Sequence, residues 1–278
     1  MQTSRLWDLI LEPQGLTTVF QPIFEARGAV RRLYALEALT RGPKQTNIER
    51  SDILFEYVRR KHREPEVDLL AIASALRQVR GLPGQPCLSM NVHAVTLESE
   101  QRLPQWLADL AAEYAVPLDT LIIEIVEHAP PWSGAQFLRN LDRLRDLGVR
   151  IALDDVGLGQ SNFRMIVDCR PDLLKIDRHF VEGSHADPLR RAVLESISDL
   201  ASRLGARAVA EGIEDERDLA TVSAAGITLL QGYLLCRPCT TQALKKKDFM
   251  ISPEHFRELG DGLDDVTQEL HHLIQRAT

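Results

Sequence analysis

Residues 17–25 read TTVFQPIFE and residues 33–40 read LYALEALT, with only a few residues around Arg27 and Gly28 between them. Both runs carry the β-branched and aromatic side chains that suit a pleated, half-buried surface. A connection this short cannot hold the crossover helix that parallel neighbours need, so the two are expected to pair as an antiparallel hairpin. Six more runs of the same kind follow: CLSMNVH (87–93), LIIEIVE (121–127), VRIALDDV (149–156), DLLKID (172–177), ARAVAEGI (206–213) and LLQGYLL (229–235). Amphipathic helical stretches separate most of them. Leu69, Ile72, Ala73 and Leu76 share one face, as do Phe137, Leu141, Leu144 and Leu147, after which Gly148 is a fitting stop. Further helices are expected around 104–115, 189–204 and 216–225, and the polar stretch 42–65 reads as a surface excursion. Eight strands alternating with helices is the count of a (β/α)8 TIM-like barrel, an α/β fold, here with an antiparallel strand at the start. The runner-up is an open doubly wound sheet, but no G-x-G-x-x-G follows the first strand.

The bulk properties fit one such barrel. The chain has 278 residues, 44% of them hydrophobic, and its 33 basic and 40 acidic residues give a net charge of −7. An acidic chain of this kind has little to release counterions from a nucleic-acid polymer, so no such partner is expected. The first residues, MQTSRLWDLI, lack a signal-peptide pattern, and no apolar run approaches the roughly 20 residues of a membrane span. A soluble cytoplasmic protein is the expectation. Cys236 and Cys239 have C-x-x-C spacing without a second such pair, which reads as isolated thiols rather than a zinc or redox site. The barrel is assigned to residues 1–247 and a helical extension to 248–278. In that extension Leu259, Leu263, Val266, Leu270, Leu273 and Ala277 alternate at spacings of three and four, which predicts a helix over about 263–277.

What interrupts the apolar runs carries the chemistry. From the second run onward, each ends on a polar or ionisable residue: Glu37, Asn91, Glu124, Asp154 with Asp155, Lys175, Glu211 and Gln231. Burying an unpaired carboxylate costs several kcal/mol. Five acids from four strands, with one lysine at hand, are therefore poor candidates for core residues. In a barrel, all these positions reach the rim where catalytic groups gather. Crowded carboxylates need counter-charge, and Mg²⁺ or Mn²⁺ suits an all-oxygen set. Adjacent strand residues point to opposite faces, so Asp154 and Asp155 can share one site only where the strand ends. Val156-Gly157-Leu158-Gly159 supplies that ending.

At these residues the chain resembles the EAL family of cyclic-di-GMP phosphodiesterases. The resemblance runs through Gln21-Pro22-Ile23, Glu37-Ala38-Leu39, Arg41, Asn91, Glu124 with Glu127, Asp154-Asp155, Lys175-Ile176-Asp177, Ala210-Glu211-Gly212 and Gln231-Gly232, over about residues 15–245. It implies a barrel-like fold and metal-dependent hydrolysis of one phosphodiester of cyclic di-GMP to linear pGpG, by a water activated between two cations. Glu37, Asn91, Glu124 and Asp154 would hold one Mg²⁺ or Mn²⁺; Asp154, Asp155 and Glu211 would hold a second. Lys175 would act as general base or as anchor for the attacking water, with Gln231 orienting it. Arg41 would hold a phosphate oxygen, and Gln21 and Leu39 would contact substrate. Glu127 would tether the loop after Asp155, which in this family couples a homodimer to the site. In that loop Val156, Leu158, Gln160 and Asn162 depart from the family's usual Phe-Gly-Thr-Gly-Tyr-Ser-Ser, and Val126 replaces the usual threonine. A silent cyclic-di-GMP receptor or a protein-interaction module of the same fold are the alternatives, separated from the enzyme by a hydrolysis assay.

Overall fold

The computed structural model describes residues 2–12, 14–27, 30–82, 84, 86–126, 134–158 and 163–246. Its strands are β1 (Thr17–Arg27), β2 (Val30–Arg41), β3 (Cys87–His93), β4 (Leu121–Val126), β5 (Arg150–Val156), β6 (Leu173–Ile176), β7 (Arg207–Ala210) and β8 (Leu229–Leu230). They close into a barrel in sequence order. β1 pairs antiparallel with both β2 and β8, and every other pairing is parallel. The hairpin arises as its short connection requires, with pairing running out to Arg27 opposite Val30.

The helices are α1 (Gln2–Leu11), α2 (Ser51–Arg59), α3 (Glu64–Val79), α4 (Ala94–Ser99), α5 (Leu103–Tyr114), α6 (Ala135–Asp146), α7 (Phe163–Cys169), α8 (Arg178–Val181), α9 (Pro188–Leu204), α10 (Glu216–Ala224) and α11 (Thr241–Lys246). α6 stops where the pattern placed its end, with Gly148 at φ 83°. No helix among the described residues is long and apolar enough to cross a membrane. All four cysteines are free thiols; Cys236 Sγ donates to its neighbour's carbonyl, Arg237 O, at 3.3 Å. The helix expected over 263–277 lies outside the described residues.

The barrel interior explains why polar residues end the strands. Ile23, Ala35, Ile122, Ala152, Leu173, Val209 and Leu229 form one buried apolar cluster, separate from the larger core between strands and helices. Side chains on a strand return to the same face every second residue. Two residues beyond each member of that layer (two before, on the reversed β1) lie Gln21, Glu37, Glu124, Asp154, Lys175, Glu211 and Gln231. The polar ring is thus the next storey of the barrel, resting on an apolar floor.

The stretch 42–65 is no simple surface excursion. It contains α2, whose Leu54 and Val58 recur at helical spacing and are fully buried. With Ile48, Val67 and Ile10 and Leu16 from the N-terminal segment, they form a satellite core beside the barrel. The surrounding charged residues masked this spacing in the sequence.

β3 is tied to α3 through Asp68, which is 1% exposed. Its carboxylate accepts from the His93 backbone N–H (2.8 Å), from Thr96 Oγ1 (2.5 Å) and pairs with His93 Nδ1 (2.9 Å). Removing it takes a partner from three buried polar groups, so Asp68→Ala should lower the unfolding free energy by about 2–4 kcal/mol, measured by denaturant titration. Burial pulls the His93 imidazole down, but the charge of Asp68 and its hydrogen bond outweigh this and hold it above its ordinary value of 6.5. A histidine raised on folding stabilises fully below its unfolded pKa and loses that contribution as pH rises through the folded one. The gap between wild type and Asp68→Ala should therefore narrow on going from pH 6 to alkaline pH, and a gap that widens would contradict this pairing.

Candidate active site

The centre of the ring is Lys175 on β6, 2% exposed. Its ammonium contacts Glu124 Oε1 on β4, Glu211 Oε1 after β7 (2.5 Å), Asp154 Oδ1 on β5 (3.4 Å) and Glu37 Oε2 on β2 (3.5 Å). Polar neighbours orient these acids. Asn91 Nδ2 donates to Glu37 Oε1 at 3.2 Å, and Gln231 Nε2 donates to Glu37 Oε2 at 2.6 Å. Ser89 Oγ donates to Glu124 Oε2 at 2.9 Å. Sequence reading passed over Ser89, although it lies two residues before Asn91 on the same face of β3, and period two would have found it.

Asp154 and Asp155 reach one site by a different route from a strand end. β5 continues to Val156, which pairs with Ile176, and the register breaks between Leu153 and Val156. Asp155 sits at φ 50°, in the left-handed region that a non-glycine residue occupies at a cost. A bulge of this kind re-aims a side chain, and both aspartates line the same cavity. Gly157 follows at φ 100°, and a Cβ there would meet the Phe180 ring at 2.6 Å, so the bulge can only be completed by glycine. Across the ring, a Cβ on Gly232 would lie 2.0 Å from the Ile213 carbonyl, a close approach that seats Gln231 against the β7 end.

The ring carries too much negative charge for one ammonium. Burial, with Glu37, Asp154 and Glu211 adding to it, pushes Glu124 well above the usual carboxylate range against the pull of Lys175. Burial, opposed by Lys175 but helped by Asp154 and Glu37, raises Glu211 to about 8. Burial, together with the charges of Asp154 and Asp177, raises Asp155 to about 7, and the two carboxyls of Asp155 and Asp177 share a hydrogen bond. Burial lowers the Lys175 ammonium, but Asp154, Glu124, Glu211 and Glu37 overcome it and hold Lys175 firmly protonated.

The donor set fits divalent cations. Oxygens of Glu37, Glu124 and Glu211 lie within 4.8 Å of one another, and so do those of Asp154, Asp155 and Glu211. Glu211 is the member common to both groups. Asp154 Oδ1 and Gln231 Oε1 are buried without a hydrogen bond, and the former has only its 3.4 Å charge contact with Lys175. A hard cation is the partner that carboxylate oxygens left in this state accept.

Among the described residues, two cavities flank the ring. One of about 260 Å³ reaches Gln21, Lys175, Glu211 and Tyr233; the other, of about 410 Å³, reaches Asn91, Asp155 and helix α2. Glu37, Leu39 and Asp154 line both. Gln21 Nε2 also donates to the Cys236 carbonyl at 3.3 Å. Arg41 is absent from the described wall of either cavity. It donates to Thr40 O (3.1 Å) and Ser51 Oγ (3.2 Å), and its guanidinium would have to turn from these to meet a phosphate. Glu127, the expected loop tether, and residues 159–162 lie outside the described residues.

Comparison with known proteins places this geometry. Residues 5–238 match the family model of the EAL domain. The cyclic di-GMP phosphodiesterase RocR of Pseudomonas aeruginosa is 34% identical over 160 residues, which is 57% of this chain and 41% of that protein. The probable cyclic di-GMP phosphodiesterase PdeA of Escherichia coli is 30% identical over 174 residues, 62% of this chain and 24% of that one. The matched part thus spans less than half the length of these relatives. Among solved structures, the calcium/cyclic di-GMP complex of Klebsiella pneumoniae BlrP1 is similar with a TM-score of 0.73 and 29% identity, covering 81% of this chain and 56% of that one. With the match running through the closed barrel and every residue of its polar ring, the chain belongs to the EAL domain family.

Proposed function

We propose that this chain hydrolyses one phosphodiester bond of cyclic di-GMP to linear pGpG. The observation that carries this reading is the ring itself: five carboxylates gathered around one buried lysine, with more negative charge than that lysine can compensate. Glu37, Asn91, Glu124 and Asp154 would hold one Mg²⁺ or Mn²⁺ ion, and Asp154, Asp155 and Glu211 a second. Ions bound there would supply Lewis acidity to the phosphate and lower the pKa of the attacking water. A cyclic dinucleotide has two nucleoside halves about its phosphates, which suits two cavities meeting at a carboxylate ring.

The chain's own residues supply orientation. Water adds to phosphorus, the P–O3′ bond breaks, and the leaving oxygen takes a proton. Lys175 enters as an ammonium, the state of a hydrogen-bond donor that anchors the attacking water. It can serve as base only after cations have offset the surrounding carboxylates. Gln231 offers an unpartnered carbonyl oxygen to that water or to Lys175, while its amide holds Glu37. Gln21 and Leu39 would contact the nucleotide, and Arg41, once turned inward, would give a charge-assisted bond to a phosphate oxygen. A homodimer and a cytoplasmic location belong to the same proposal. Leu158, Phe163 and Val167, on either side of the loop after Asp155, are 36%, 76% and 68% exposed, which supports a covering partner.

Incubation with cyclic di-GMP should yield pGpG when Mg²⁺ or Mn²⁺ is present and none after chelation. Binding in Ca²⁺ without product in any of these metals would instead mark a silent receptor. Glu37→Ala should abolish turnover while leaving the unfolding midpoint near wild type, and near-normal turnover would refute the ligand assignment. Lys175→Ala should lower kcat by about 10²-fold or more while sparing nucleotide affinity in Ca²⁺. Equal losses of rate and affinity would show that Lys175 only balances charge.

A further inference from the structure

The ligands proposed for the second cation come from β5 and from the end of β7, and β6 stands between those strands in the barrel. After β6 comes α8, a helix of four residues, Arg178–Val181. A single turn does not hold itself, because fixing it costs more than its first hydrogen bond returns. Its neighbours hold it instead. At its start the Asp177 side chain accepts from the His179 backbone N–H at 2.6 Å and shares a hydrogen bond with Asp155. Towards β5 the Phe180 ring covers Gly157. Towards β7 the Arg178 backbone and Cβ cover Gly212, the residue after Glu211, and leave no room there for a side chain. α8 thus stands as a wedge between Asp155 and Glu211.

The far end of the wedge is held by Asp218, in the first turn of α10 and 4% exposed. Its carboxylate accepts from the Gly183 backbone N–H (2.8 Å), the His185 backbone N–H (3.0 Å) and Ser184 Oγ (3.3 Å), and pairs with His185 Nδ1 (2.7 Å). Burial would raise this carboxyl, but the hydrogen bonds from His185 and Gly183 outweigh it and hold it below its ordinary value of 3.8. We propose that Asp218 is a positioning residue for the second cation: by fixing the end of α8 it sets the separation of Asp155 and Glu211. The inference rests on the two-cation reading given above and adds a residue that lines neither cavity of the site. Groups behind the ligands decide how well those ligands are aimed. Of the ligands proposed for the first cation, Glu37, Asn91 and Glu124 lie on β2, β3 and β4, on the other arc of the barrel, so the effect falls on one ion.

The test titrates the metal-free full chain with Mn²⁺ by calorimetry, for wild type, Asp218→Ala, Asp218→Asn and Asp215→Ala. Asp215 caps the same helix through the Arg217 backbone N–H at 2.7 Å, so its removal weakens α10 without removing the Asp218 clamp. Asp218→Ala should weaken the second ion by about ten-fold or more while the first stays within about three-fold. Asp218→Asn keeps an oxygen for the backbone N–H groups but loses the charge, and should weaken the second ion by at least about three-fold. Asp215→Ala should lower the unfolding midpoint yet bind both ions as wild type does. A second ion of wild-type affinity in Asp218→Ala, both ions weakened alike, or an equal loss in Asp215→Ala would overturn the proposal. If Asp218→Ala does not fold, Asp218→Asn against Asp215→Ala decides by the same criteria. A wild type that binds fewer than two ions would overturn the two-cation reading and this inference with it, whereas a normal wild type with indifferent variants removes the inference alone.

Discussion

An ammonium group buried to 2% exposure, Lys175 Nζ, holds carboxylates from four strand ends within 3.5 Å. Among the described residues of the ring it is the one cation facing five acids. Without it, Glu124 would be a fully buried carboxylate with only Ser89 to answer it, and leaving a buried charge unpaired is strongly destabilising. With it, burial first and the repulsion of the neighbouring acids second still push Glu124, Glu211 and Asp155 toward their protonated forms. The barrel beneath bears this tension. A layer of small and branched apolar residues seals the floor, so water cannot relieve the charge from below and any added cation must enter from the rim.

Much of this was legible in the sequence, for two physical reasons. Polar residues that interrupt apolar runs at the same relative place can only be satisfied together, and a closed barrel is the arrangement that brings eight strand ends to one rim. The short link between the first two runs likewise decided their antiparallel pairing. What escaped was local. The β5 bulge depends on Asp155 adopting a positive φ, which no pattern of side chains announces. Ser89 looked like an ordinary small residue because its partner, Glu124, is 35 residues away. Arg41 is engaged with α2 through Ser51, a contact that needs the fold to be seen.

The segment 42–65 shows why polarity is a poor guide beside a cavity. Its charged residues suggested a surface excursion, yet Leu54 and Val58, with Phe55 and Tyr57 packed beside them, dock α2 on the satellite core. The polar face is then turned toward a cavity instead of bulk solvent. Charge that reads as solubility in a sequence can line a cavity once a helix is pinned above it. α1 belongs to the same unit: Trp7 lies under the Arg63 guanidinium at 4.4 Å, joining the N-terminal helix to the start of α3.

On the proposed reading the ring is an over-charged oxygen cage, to which two divalent cations would supply the missing positive charge. Calorimetric titration of the metal-free chain with Mn²⁺ in buffers of differing ionisation heat tests it directly. The account predicts saturation at two ions per chain. It also predicts net proton release at pH 7, because Glu211 and Asp155, raised to about 8 and about 7, must give up their protons to bind. Absence of saturable Mn²⁺ binding, or binding without proton release, would contradict it.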